Sequence, residues 1–186
     1  MTRVPEPTRD ELDPGARAVY DQTAGTRGFV GGPFGVLLHH PPLCERVAAL
    51  GEQLRFRSGL PGADRELAIL TVGREIEAAY EWYAHEIIAG REGTRPEAVA
   101  VVRDRRPTAG LSSREALIID TVRALYHARR LTRAEFARAE AELGRRGLVE
   151  LVTLAGYYGM IGGILNAFDV DLPPGAPPPP FPRPVD

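Results

Sequence analysis

A chain of 186 residues with 44% apolar and 26% charged residues suits one globular domain that buries a core without disulfides or a structural metal. A net charge of −2 leaves no basic excess to neutralise phosphates, so nucleic acid is not an expected partner. All 23 basic side chains are arginine and the single cysteine is Cys44, which excludes Schiff-base and Walker-type lysine chemistry, an intramolecular disulfide and a multi-cysteine zinc site.

The segment up to Asp13 is polar, so no signal peptide is expected and the cytoplasm is the expected location. Helices are predicted over 10–23, 41–57, 62–77, 79–91, 95–104, 112–129, 133–144 and 147–168. No alternating β-branched run points to a sheet, so the fold class is all-α. Thr8/Glu11, Thr94/Glu97, Ser112/Glu115 and Thr132/Glu135 have the spacing of capping boxes. Between the first two helices, Gly25 to Gly35 holds five glycines with Phe29, Pro33 and Phe34. It reads as a turning loop or a lid and lacks the Gly-Lys-Ser/Thr ending of a phosphate cradle.

Toward the end of the chain, Leu151 to Phe168 is uncharged for 18 residues, the lower limit for a membrane span. Thr153, Asn166 and four glycines favour a buried central helix instead, and no membrane partner is expected. Residues 1–172 are read as a single domain. From Pro173 to Asp186, 8 of 14 residues are proline, so this tail is extended, disordered or draped on a partner. Glu66–Leu70 is echoed by Glu150–Leu154, 84 residues on, a pattern that chance or an internal duplication of two helical halves would leave.

Three side chains stand out chemically. Glu66 shares a helix face with Ile69, Leu70, Gly73 and Ile76, where a charge is costly unless paired. It is either a dipole-complementing residue of the first turn or a buried acid or base. Among such apolar neighbours, its neutralisation is expected to stabilise the fold. Glu81 and His85 are spaced i, i+4, so the carboxylate can orient the imidazole. Tyr80, Trp82 and Tyr83 around them either wall a pocket or simply pack. His39 suits a pocket mouth or a helix end. Tyr157, Tyr158 and Asn166 on the uncharged helix suit core hydrogen bonding or pocket lining.

The Arg-Glu-Leu-x-Ile-Leu segment at Arg65–Leu70, Tyr-Glu-Trp-x-x-His at Tyr80–His85 and the following Ala-x-x-x-Gly-x-x-Pro-Glu stretch resemble the carboxymuconolactone decarboxylase family of the alkylhydroperoxidase D-like superfamily. The likeness extends over about Pro33 to Phe168, with Gly-Pro-Phe-x-Val-Leu-Leu-His upstream and Gly-Tyr-Tyr and Leu-Asn-Ala-Phe downstream. It implies an all-α alkylhydroperoxidase D-like bundle assembled as trimers or hexamers, with sites near subunit interfaces.

Redox members of that superfamily carry a Cys-x-x-Cys pair, and its positions here fall on Ala78 and Glu81. A dithiol peroxidase cycle is therefore not expected. What the resemblance leaves is the acid–base part: Glu66, Glu81 and His85 as catalytic residues. Phe34, His39, Tyr80, Trp82, Tyr157 and Asn166 are the substrate-binding candidates. The expected activity is lyase chemistry on a small unsaturated organic acid or lactone, decarboxylation or a related proton transfer, with no cofactor and no metal. The rival readings are a helical module that binds a small molecule without turnover, and a metal-dependent lyase or hydrolase using His39, His40, His85 and a glutamate.

Overall fold

The computed structural model describes residues 2–181. Among them there are eight α-helices, one 3-10 turn and no strand. Helix α1 (Pro14–Arg27) begins where Asp13 accepts from the backbone N–H groups of Gly15 and Ala16, with Pro14 in the first turn. This is later than the predicted start at 10, because Arg9–Glu11 forms a separate 3-10 turn closed by the Thr8/Glu11 box. Gly28, left-handed at φ 83°, ends α1. The glycine-rich segment then folds into a further short helix, α2 (Pro33–Leu37), which sequence periodicity did not reveal.

Helices α3 (Pro41–Phe56), α4 (Gly62–Glu75), α5 (Ala79–Arg91), α6 (Pro96–Arg103) and α7 (Ser113–His127) follow the predicted order within a few residues. The capping boxes of Ser112 and Thr132 form as read. Thr94 does not cap: its hydroxyl donates to the Ala63 carbonyl at 3.2 Å, so α6 starts at Arg95 without a side-chain cap. The last helix, α8 (Arg133–Ala167), is continuous except at Gly144, where φ 68° and ψ 165° break it. That break lies at the gap read between the two predicted segments.

Helix α4 is the hub, packed against α5, α6, α7 and α8, while α1 and α2 lie on α3. Its Ala68, Ile69, Leu70 and Val72 have no exposure, and Ile118, Ile119, Val122 and Leu151 meet them from α7 and α8 in the same condition. Truncating any of the large ones to alanine costs about 2–5 kcal/mol by the usual cavity penalty. Helix α8 is long and apolar enough to cross a membrane, but Leu151, Leu154, Tyr157, Tyr158, Ile161 and Leu165 are core residues, at most 4% exposed. Gly162 lets α8 approach the α4–α5 turn, since a Cβ there would strike Ile76 and Ala78.

The proline-rich tail, as far as residue 181, contains no helix. It lies on its own chain: Phe181 is 5% exposed, edge-on to Trp82 at 6.4 Å and beneath the Arg74 guanidinium at 5.0 Å. Residues 182–186 of the predicted tail lie outside the described residues.

Candidate active site

Helices α4 and α5 are antiparallel neighbours across a three-residue turn, and this brings Glu66 of α4 onto the face of α5 that carries Glu81 and His85. His85 Nδ1 lies 2.6 Å from Glu66 Oε2, and His85 Nε2 lies 2.9 Å from Glu81 Oε1. All three are buried, at 1%, 3% and 5% exposure for Glu66, Glu81 and His85. The Glu66 contact is a short, aligned hydrogen bond. The Glu81 contact lies off the N–H direction, so Glu81 Oε1 is buried beside the charge yet has no hydrogen-bond partner. The other Glu66 oxygen is 3.6 Å from Arg65 Nε.

Burial is the largest influence on the imidazole and pulls its pKa down. The charge of Glu81 and the contacts with Glu66 and Glu81 outweigh it, so the pKa rises to about 9. At neutral pH the ring is therefore an imidazolium that donates from Nδ1 to Glu66. The Tyr158 ring meets it edge-on at 5.0 Å, which fixes the ring plane from the α8 side.

A cavity of about 300 Å³ opens over this group. Helix α5 lines it with Tyr80, Glu81, Ala84, His85, Ile88 and Arg91, one stripe at helical spacing. Phe29, Gly31, Pro33 and Phe34 form the wall read as a lid, and Tyr157, Tyr158 and Ile161 of α8 the opposite one. Arg27 and Arg55 enter from the ends of α1 and α3. Glu6, whose carboxyl burial raises above its ordinary range, accepts from Gly32 N–H at 3.1 Å and ties down the glycine-rich wall.

Of the binding candidates, Phe34, Tyr80 and Tyr157 line the cavity. Three do not. His39 contacts the Pro5 carbonyl at 2.9 Å, fastening the N-terminal segment. Trp82 sits off the cavity stripe of α5, with its indole N–H on Glu86 at 3.1 Å and its ring against Phe181. Asn166, more than a turn beyond Ile161, donates to the Ile76 carbonyl at 2.9 Å and so braces α8 against the end of α4.

His40 caps α3 at Leu43 N–H, so the three-histidine set of the metal reading is not assembled. Among the described residues no three His, Cys, Asp or Glu side chains are arranged to hold a metal ion. The sequence reading missed Arg27, Arg55 and Arg91. They come from three separate helices, and only Arg91 carried a signal, its place on the 81–84–88–91 stripe.

No protein-family model matches the sequence, and a search of characterised proteins gives no match. Solved structures do match. An alkylhydroperoxidase AhpD-core, peroxidase-related protein from Ralstonia eutropha aligns at TM-score 0.78 and 18% identity over 93% of both chains. A peroxidase-related protein from a Silicibacter species aligns at 0.77 and 15%, over 94% of this chain and 93% of the other. A cysteine-to-alanine form of the debrominase Bmp8, solved with 2,3,4-tribromopyrrole, aligns at 0.70 and 14% over the same shares. The chain therefore shares the helical fold of these structures, the first of which is an alkylhydroperoxidase AhpD core.

Proposed function

We propose that this protein is an enzyme acting on a small molecule by cofactor-free acid–base catalysis, of the carboxymuconolactone decarboxylase type. The observation that carries this reading is the buried Glu66–His85–Glu81 group, of which Glu81 and His85 line the cavity. An imidazolium held by Glu66 is a proton donor, and the unpartnered Glu81 oxygen beside it is an acceptor. In a decarboxylation the C–C bond to the carboxyl group breaks and CO2 leaves. The electron pair moves into the conjugated system, and His85 Nε2 delivers a proton to carbon. The ring regains its proton from water by way of Glu81. The same two groups, used in sequence, would shift a double bond by removing one proton and adding another.

The fold is shared with peroxidase-related proteins, but thiol chemistry lacks its parts here. The dithiol positions hold Ala78 and Glu81. Cys44 has no exposure, does not line the cavity, and has its thiol pushed up to about 11, chiefly by burial.

The test is deuterium incorporation from D2O into carbon, followed by NMR across a panel of small unsaturated acids and lactones. Wild type should exchange or decarboxylate at least one class, and His85→Gln should slow that by about 10²–10⁴-fold, the usual worth of general acid–base assistance. Binding without any carbon–proton exchange would make the protein a binding module instead.

A further inference from the structure

Several arginines in this protein hold a carboxylate closely: Arg9 to Asp21 at 2.7 Å, Arg95 to Glu115 at 2.8 Å, Arg114 to Asp64 at 2.7 Å. The three that line the cavity differ. Among the described residues neither Arg27, Arg55 nor Arg91 has an acidic partner, although Glu81 lines the same cavity. The lining thus holds three guanidinium groups and an imidazolium against one carboxylate.

Arg27 is the most constrained of them. Its guanidinium carbon lies 4.1 Å from the centre of the Phe34 ring, and its Nη2 is buried beside the Tyr157 hydroxyl without an aligned hydrogen bond. The Tyr157 hydroxyl beside it donates elsewhere, to the Val47 carbonyl at 3.2 Å. Room for both comes from Gly51 of α3, where a Cβ would strike Nη2 and the Tyr157 hydroxyl. A half-buried guanidinium that stacks on a ring and lines a cavity without a carboxylate partner can present its remaining N–H groups to an anion there. Arg55 bears on the same region: the charges of Arg27 and Arg55 both act on the Tyr157 hydroxyl, and Arg55 also on Tyr158, which touches His85.

We infer that Arg27 and Arg55 form a carboxylate subsite, so that the ligand of this cavity is a small planar unsaturated carboxylate rather than a neutral lactone. Its carboxylate lies in the fork of Arg27 above Phe34. Its unsaturated carbons run along Tyr80 and Ile161, and its far end meets His85 and Glu81. Arg91, exposed at the rim, attracts the anion without holding it. The inference rests on the acid–base reading for the identity of the cavity, but not on turnover.

Calorimetric titration of the full chain with benzoate, sorbate and the uncharged benzamide tests it. Benzoate or sorbate should bind, and benzamide should bind more weakly by about 10- to 100-fold, the worth of a charge-assisted pair. Arg27→Gln and Arg55→Gln should each weaken carboxylate binding several-fold or more and leave benzamide binding unchanged. Arg27→Lys should recover only part of the loss, since a point charge cannot form the fork. Gly51→Ala, which crowds Arg27 from the other side, should act in the same direction while circular dichroism stays that of wild type.

Calorimetry reads binding and NMR reads carbon–proton exchange, so the subsite and the acid–base reading fail separately. Equal affinity for benzoate and benzamide would overturn the subsite, as would unchanged benzoate affinity in both arginine variants. So would no carboxylate binding to wild type at millimolar concentration. In each case deuterium exchange on a lactone would leave the acid–base reading standing.

Discussion

The imidazole of His85 ties the site to the stability of the whole chain. Its pKa is about 9 in the folded protein and near 6.5 when unfolded, so the folded state binds its proton more tightly. The resulting stabilisation is complete below about pH 6.5 and is lost as pH rises through about 9. Thermal melting between pH 6 and 10 should show this decline in wild type, and His85→Gln should flatten it. Glu66→Gln should lower the melting temperature and bring the His85 titration, followed by imidazole NMR, back toward 6.5. The apolar neighbours of Glu66 in sequence argue the opposite sign. The 2.6 Å bond to His85 reverses it, because removing one member of a buried pair leaves the other uncompensated. A rise in melting temperature for Glu66→Gln would show that the pair is a net strain. These three residues were legible because two share an i, i+4 face and the third put a charge on an apolar stripe. Arg27 and Arg55 were not, since nothing local distinguishes an arginine waiting for a ligand from one bound to a carboxylate.

Helix boundaries obeyed local chemistry wherever a cap had no competitor. Asp13, Ser112 and Thr132 cap as their sequences dictate, whereas the Thr94 hydroxyl is claimed by the carbonyl of Ala63 in the first turn of α4, a contact 31 residues away that no local pattern encodes. Helix α2 was hidden because five residues are too few to show a period, though Pro33 in its first turn and Gly32 before it at φ 58° are its markers. In α8 the break at Gly144 was visible as a glycine at the boundary of two predicted helical segments. Its φ 68° and ψ 165° belong to a region reserved for glycine. Gly144→Ala should therefore destabilise by about 1–3 kcal/mol in urea unfolding. Gly25→Ala in α1, where a Cβ meets nothing within 4 Å, should be neutral or stabilise by up to about 1 kcal/mol. Equal effects at the two positions would mean that the α8 break relaxes into continuous helix.

At the scale of the whole molecule, the two sides of α8 make a contrast that composition does not lead one to expect. One side is core. The other leaves Val149, Val152, Thr153, Gly156, Met160, Gly163, Asn166 and Ala167 exposed, a run of nearly five helical turns without a charge. In a chain where 26% of residues are charged, such a face is unusual, and Val149 at 61% exposure and Met160 at 41% give it apolar area. Within the described residues the tail packs instead on Trp82 through Phe181. A second copy of the chain is the occupant we propose, in keeping with the trimer or hexamer that the family resemblance implies. Small residues at 156 and 163 would let two backbones approach, and valine and methionine would supply the buried area. Light scattering at micromolar concentration should give a trimer or a multiple of it. Met160→Asp and Val152→Asp, both exposed and neither lining the cavity, should shift the mass toward 20.3 kDa with the circular dichroism of wild type retained. A wild-type mass of 20.3 kDa across that range would leave this face to solvent, and the cavity would then be complete within one chain.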